Sequence, residues 1–366
     1  MDATFSRREL IRLLAGGACL ARLEGGQKKF SLEYPNGLAV SSDGRLFISD
    51  IGSHLVLKLE RSGRLTHIAG TGEGGFSGDG ANAGNARLNA PHDLLFDKSG
   101  NLLIADTWNH RIRRIDRSGI ITTIAGNGKA AFAGDGGPAT SAALNSPQGI
   151  ALDGKGNLLI ADTWNHRIRR IDRDGRISTI AGTVPGFGGD DGPASACQIN
   201  LPMAVVAAPD GSIYLSDAAN SRIRRIDADG TIRTIIGFGP GQDLYGAGFS
   251  GDGGPPEKAR IFSATDLKLD AAGNLFISDS GNHRIRIVRN GVITTIAGSG
   301  RQGYRGDSGA AVDCDLNTPQ KICLAGDGSL FIADRANRRV RKVDSRGIIR
   351  TIAGGGDPAV MMFDRR

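Results

Sequence analysis

One place in this chain carries charge where its repeats otherwise put a small residue. Asp93, Asp266 and Lys321 stand there, against Gly37, Gly149 and Ala204 in the sibling units. The residues just before them are Asn36, His92, Gln148, Met203, Thr265 and Gln320. Two carboxylates facing each other beside a lysine could hold a cation or an amine, or polarise a small substrate; a divalent ion would take Asp93 and Asp266 as ligands. The simpler reading is a solvated channel mouth in which Lys321 balances Asp266. His92, next to Asp93, is the one group placed to serve as a general base. No Ser-His-Asp or Cys-His pairing can be composed, because no other histidine or cysteine shares these positions.

Three further sets recur. An aromatic-x-Gly-Asp element ends at Asp79, Asp135, Asp190, Asp252 and Asp307. It reads either as a ring of calcium-binding loops or as a plug whose aromatic is buried and whose aspartate caps backbone N–H groups. Calcium needs several oxygen ligands per site, and most of these loops offer one carboxylate. Asp106, Asp162, Asp217, Asp279 and Asp334, with Asp50 in the first unit, are followed at fixed spacing by Arg111, Arg167, Arg222, Arg284 and Arg339. That recurrence predicts structural ion pairs, or else a guanidinium ring for phosphate. Few stacking aromatics accompany it, Trp108 and Trp164 apart. His54, His110, His166 and His283 share one position too far from any common axis to converge on one metal, and read as turn-supporting hydrogen bonders.

The elements that position these groups follow from one repeat. NLLIADTWNHRIRRID occurs at 101–116 and again at 157–172, with diverged copies at 45–60, 212–227, 274–289 and 329–344. Within 147–182, apolar runs of strand length alternate with breaks at Gly154–Asn157, Thr163–His166 and Arg173–Gly175. Each unit is thus a four-stranded antiparallel meander, starting at 35, 91, 147, 202, 264 and 319. One such sheet cannot cover both its faces, and stacking like sheets around an axis solves this. The expectation is an all-β, six-bladed propeller with one blade per repeat, spanning 35–356. Long links at 71–90, 127–146, 183–201, 238–263 and 299–318 would then share a face with each second turn, making that the default binding face.

Totals add bounds. Glycine supplies 55 of 366 residues, about twice the usual share, as many tight turns require. The net charge of +7 permits anionic partners without singling one out. Cys19, Cys197, Cys314 and Cys323 do not form a disulfide scaffold, although a Cys314–Cys323 bridge stays open. Residues 1–26 lie outside the repeat: Ser6-Arg7-Arg8-Glu9-Leu10-Ile11 and a short apolar stretch are similar to a twin-arginine export signal, and Cys19 sits near a lipoprotein-like box. A cytosolic amphipathic helix is the alternative. Residues 27–34 read as a linker or edge strand and 357–366 as a tail, with no membrane-spanning stretch.

The pattern Pro-x-Gly-Ile-Ala, Gly-Asn-Leu-x-Ile-Ala-Asp, Asn-His-Arg-Ile-Arg and Thr-Ile-Ala-Gly resembles the NHL repeat, and the links resemble a bacterial and teneurin-like subtype through Phe132-Ala-Gly-Asp-Gly-Gly-Pro and Ala143–Pro147. The resemblance implies a six-bladed propeller, in a wider family that mostly binds proteins or RNA. The functional expectation is an exported, periplasmic or secreted, monomeric module binding protein, peptide or envelope glycan on the link face. The alternatives are a metal-dependent hydrolase or lyase at the channel mouth, with a divalent cation such as calcium, and nucleic-acid binding through the arginine ring.

Overall fold

The computed structural model describes residues 22–24, 27–237 and 248–355, the first two stretches up to Lys29 by backbone alone. The export-signal segment with Cys19, the tail and part of the fourth link lie outside the described residues.

The chain forms a six-bladed β-propeller. Each blade is an antiparallel sheet in which the four main strands follow chain order from the hub outward. The inner strands are Pro35–Val40, Pro91–Phe96, Gly149–Leu152, Pro202–Ala207, Ala264–Leu269 and Pro319–Leu324. Each packs on the next, and the sixth returns to the first. Blade three shows the unit: Gly149–Leu152, Leu158–Asp162, Arg167–Ile171 and Ile177–Ala181. Its second strand, LLIAD, is buried at every position because neighbouring blades cover both of its faces. The core is therefore six interblade layers of Ile, Leu, Val and Ala.

The turns explain the punctuation. The third turn of blade three places Gly175 at φ +76°, which an L side chain rarely adopts. Gly182 ends the outer strand at φ +92°, and a Cβ there would stand 2.3 Å from the His166 carbonyl oxygen. The second turn is a single turn of 3₁₀ helix, Thr163–Asn165, closed by His166 in the left-handed region.

The links do not lie wholly on one face. Ala81–Asn82 pairs with the outer strand of blade two, Ile120–Ala125, and Gly192–Pro193 with that of blade four, Thr231–Ile236. Single bridges do the same for blades three, five and six. The middle of each link therefore wraps the rim of the blade that follows it, because an outer strand left bare is an exposed edge. Only the link ends meet the second turns: Asn109 Nδ2 donates to Gly75 O, and Trp108 N to Asn89 O.

Blade one is built from strands of residues 35–69 and blade six from strands of residues 319–354, with no strand exchanged at the seam among the described residues. Leu32, Leu38 and Ile48 pack there on Phe331, Ala333, Val340 and Ala353. Gln27–Lys29 pairs with Arg22–Glu24 in a separate hairpin and not with a blade. Cys197, Cys314 and Cys323 are free thiols, so the Cys314–Cys323 bridge does not form. No helix among the described residues is long and apolar enough to cross a membrane.

Candidate functional site

At the hub the structure brings together what the sequence placed in separate units. Asp93, Asp266 and Lys321 are all buried. Lys321 Nζ lies 3.4 Å from Asp93 Oδ2 and 3.4 Å from Asp266 Oδ1, and donates to Met203 O at 3.1 Å. Asp93 also accepts from Leu94 N and Ile150 N, and Asp266 from Ile322 N. Lys268, which the sequence comparison missed, lies 3.0 Å from Asp266, two residues away on the same strand face. These carboxylates push its ammonium pKa up against the effect of burial. Two carboxylates and two ammoniums thus form a neutral plug, buried except at Lys268, whose side chain is 27% exposed. The expected solvated mouth is corrected, since these groups are buried; Lys321 stands beside Asp266 as expected and reaches Asp93 as well.

This arrangement does not fit a divalent cation. The ammonium of Lys321 already occupies the point between the two carboxylates where the ion would sit, and the remaining oxygen lone pairs are directed at backbone N–H groups. Among the described residues no three His, Cys, Asp or Glu side chains gather closely enough to hold a metal.

Above the plug, Asn36, His92, Gln148, Met203, Thr265 and Gln320 ring the mouth. His92 Nδ1 faces Ala90 O at 2.8 Å, so it carries the proton and leaves Nε2 as an acceptor. Burial first, and then the charges of Arg335 and Lys321, push the His92 pKa down to about 3. A base that weak takes a proton from few substrates at neutral pH. Asn36 Nδ2 donates to His92 O at 2.7 Å, while its buried Oδ1 has no donor. Gln320 Nε2 reaches Ser280 Oγ at 3.3 Å.

The rim holds a second network, repeated in five blades. Its arginine is not the expected one. Arg111 stands directly opposite Asp106 in the strand register, yet the ion pair forms with Arg113, two residues further along the same face. Arg113 is fully buried and lies 3.2 Å from Asp106 and 2.8 Å from Asp79 of the preceding link. The same clamp recurs as Asp162–Arg169–Asp135, Asp217–Arg224–Asp190, Asp279–Arg286–Asp252 and Asp334–Arg341–Asp307. The link aspartates are thus bound to buried guanidinium groups and are not aimed at a shared cation. Desolvation pushes the inner aspartates up to about 6, and Asp217 to about 7. Asp217 has the longest ion pair, 3.7 Å, and a carboxylate oxygen with no hydrogen bond.

Arg111, Arg167, Arg222, Arg284 and Arg339 instead lie over the link aromatics, 3.6 to 4.0 Å from the ring centroids of Phe76, Phe132, Phe187, Phe249 and Tyr304. Each also donates to the carbonyl of the asparagine two residues before it. The aromatics are not buried as the plug reading expected. Phe76 and Phe132 are 41% exposed and Phe249 39%. His54, His110, His166 and His283 each accept, through Nδ1, the N–H of the residue that enters the next blade.

A six-bladed propeller of four-stranded repeats with a sealed polar hub is the class these features define. Within that class the chain is similar to NHL-repeat proteins. The NHL repeat model matches residues 88–115 and the Teneurin NHL domain model residues 128–185. Teneurin-4 of Mus musculus is 26% identical over 341 residues, covering 84% of this chain and 12% of that protein. Protein SUPPRESSOR OF QUENCHING 1, chloroplastic, of Arabidopsis thaliana is 28% identical over 328 residues, covering 86% of this chain and 30% of that one. The chain therefore spans well under half the length of these two relatives. An auxiliary nutrient binding protein from Bacteroides ovatus superposes with a TM-score of 0.61 at 14% identity, over 92% of this chain and 76% of that one.

Proposed function

We propose that this chain is a binding module, exported to the periplasm or beyond, that receives a protein, peptide or envelope glycan on the face carrying the second turns and the link ends. One observation carries the reading. Among the described residues the exposed large apolar side chains are Phe76, Phe132, Trp164, Val184, Phe249, Val292 and Val312, and all but Val292 belong to links or to a second turn. Aromatic side chains exposed on a rigid frame, with arginines stacked on them, supply the contact area that interfaces favour. The auxiliary nutrient binding protein that shares this fold agrees with a binding role.

The test is retention of envelope proteins, peptidoglycan fragments and arrayed oligosaccharides on the immobilised chain. A partner held by the natural chain and weakened at least about tenfold by Trp164→Ser and by Phe132→Ser, as for an interface anchor, supports the reading. Equal retention by both variants removes it. Export is read separately, from the mass of a mature form that begins after residue 18 or 21. The hydrolase reading loses its metal site to Lys321, and the nucleic-acid reading loses its free arginine ring to the aromatic stacks.

A further inference from the structure

Arg335 stands apart at the mouth of the hub. It opens the second turn of blade six, where the sibling blades have Ile51, Thr107, Thr163, Ala218 and Ser280. It is partly buried, and among the described residues its guanidinium has neither an ion pair nor a hydrogen bond. The Tyr34 ring lies 5.8 Å away, too far for a close stack. The five fully buried arginines, Arg113, Arg169, Arg224, Arg286 and Arg341, are each matched by a carboxylate. An unmatched guanidinium in a concave site is costly unless something anionic completes it.

The plug below does not supply that anion. Asp93 and Asp266 are neutralised by Lys321 and Lys268. Arg335 lies within electrostatic range of the buried Asp50 but forms no ion pair with it, and its charge bears on His92, among groups that want a hydrogen-bond donor. His92 Nε2 is a free lone pair, since Nδ1 holds the proton. The Asn36 carboxamide oxygen is buried without a donor. Gln148 and Gln320 extend the ring from neighbouring blades.

From this we infer that the hub mouth binds a small hydroxylated organic anion, whose carboxylate or phosphate sits on Arg335 and whose hydroxyl groups donate to His92 Nε2 and the Asn36 carboxamide. The planar guanidinium offers paired N–H donors suited to either anionic group. A neutral imidazole accepts a hydroxyl proton where an imidazolium would repel it. This site is independent of the aromatic rim, so it can stand or fall apart from the partner-binding reading.

Titration calorimetry on the whole chain with glucuronate, glucose 6-phosphate, glucose and acetate decides it. At least one of the two hydroxylated anions should bind, weakening as salt rises, with glucose and acetate much weaker. Arg335→Gln should reduce that affinity at least about tenfold, whereas Arg346→Gln, on a third turn, and Trp164→Ser should leave it unchanged. Glucuronate against glucose 6-phosphate separates a carboxylate guest from a phosphate one. Arg335→Gln removes no hydrogen bond or ion pair, so its melting temperature should stay close to the natural chain's, which separates lost binding from lost folding. Heat from neither anion, or equal affinity in Arg335→Gln, overturns the inference.

Discussion

Blade one and the five blades that follow it solve the same problem differently. In blades two to six the aspartate at the end of the second strand is held by a buried arginine that also grips the preceding link. Blade one has Leu57 at that arginine's place, and Asp50 is held by backbone N–H groups alone, from Glu33, Tyr34, Gly52 and Ser53. No link strand covers its outer strand, Leu65–Ala69, among the described residues. The arginine is therefore a device for pinning a link. In blade one, where no described link strand pairs with the outer strand, leucine takes its place and fills the layer with Leu38 and Ile48.

The sharpest way to break this comparison is to remove one clamp. Arg113→Leu leaves Asp106 buried with its chief countercharge gone, and should cost about 3–5 kcal/mol in urea unfolding. The 71–90 link should become the first site of proteolytic nicking. Replacing Asp106 by leucine as well should return part of that loss. Blade one has no such charge to orphan, and there the seam is the test. Leu32→Ala should cost about 2–4 kcal/mol through the cavity it opens between the first and last blades.

Smaller effects come from pH. Burial lowers the pKa of His54, His166 and His283 below the ordinary 6.5. The fold favours their neutral form, so the stability they add is present above pH 6.5 and is lost as pH falls through their folded values. Protonation removes the lone pair that accepts the next blade's N–H, a loss of about 1 kcal/mol each. The clamp aspartates, raised to about 6, act in the opposite sense: their contribution is greatest below the usual carboxylate range and declines as pH rises through 6. Unfolding at pH 5 and pH 7 in the natural chain and in a His54, His166, His283→Asn triple variant isolates the histidine part, and an unchanged difference would refute it. The smallest change is Phe132→Ala. Losing one exposed arginine stack should lower stability by about 0.5–1 kcal/mol.

The fold was legible because its signals are local and repeated. Turn glycines, strand-length apolar runs and a constant offset leave few architectures open. The clamp was half legible. Asp106 stood out, but Arg111 and Arg113 point to the same strand face, and spacing cannot say which one turns inward. The link decides it: Phe76 holds Arg111 outside, while Asp79 and Asp106 draw Arg113 in. At the hub, Asp93, Asp266 and Lys321 were visible as departures from their siblings. That one ammonium reaches both carboxylates depends on side-chain reach across the axis, which no unit's sequence contains. Lys268 carried the same kind of signal, as the one charged residue where its siblings have Ala39, Leu95, Ala151, Val206 and Cys323, but further along the strand than the departures at its start. Arg335 had one, as the sole charged residue at its repeated place, visible only when second turns are compared with each other.

Because no described strand crosses the seam, every blade is made from one uninterrupted stretch of chain, and blades two to six bring their own clamp and rim cover with them. Copying such a stretch in frame duplicates a finished part, polar groups already satisfied. The sixteen residues shared letter for letter by blades two and three are what a recent copying of that kind would leave behind.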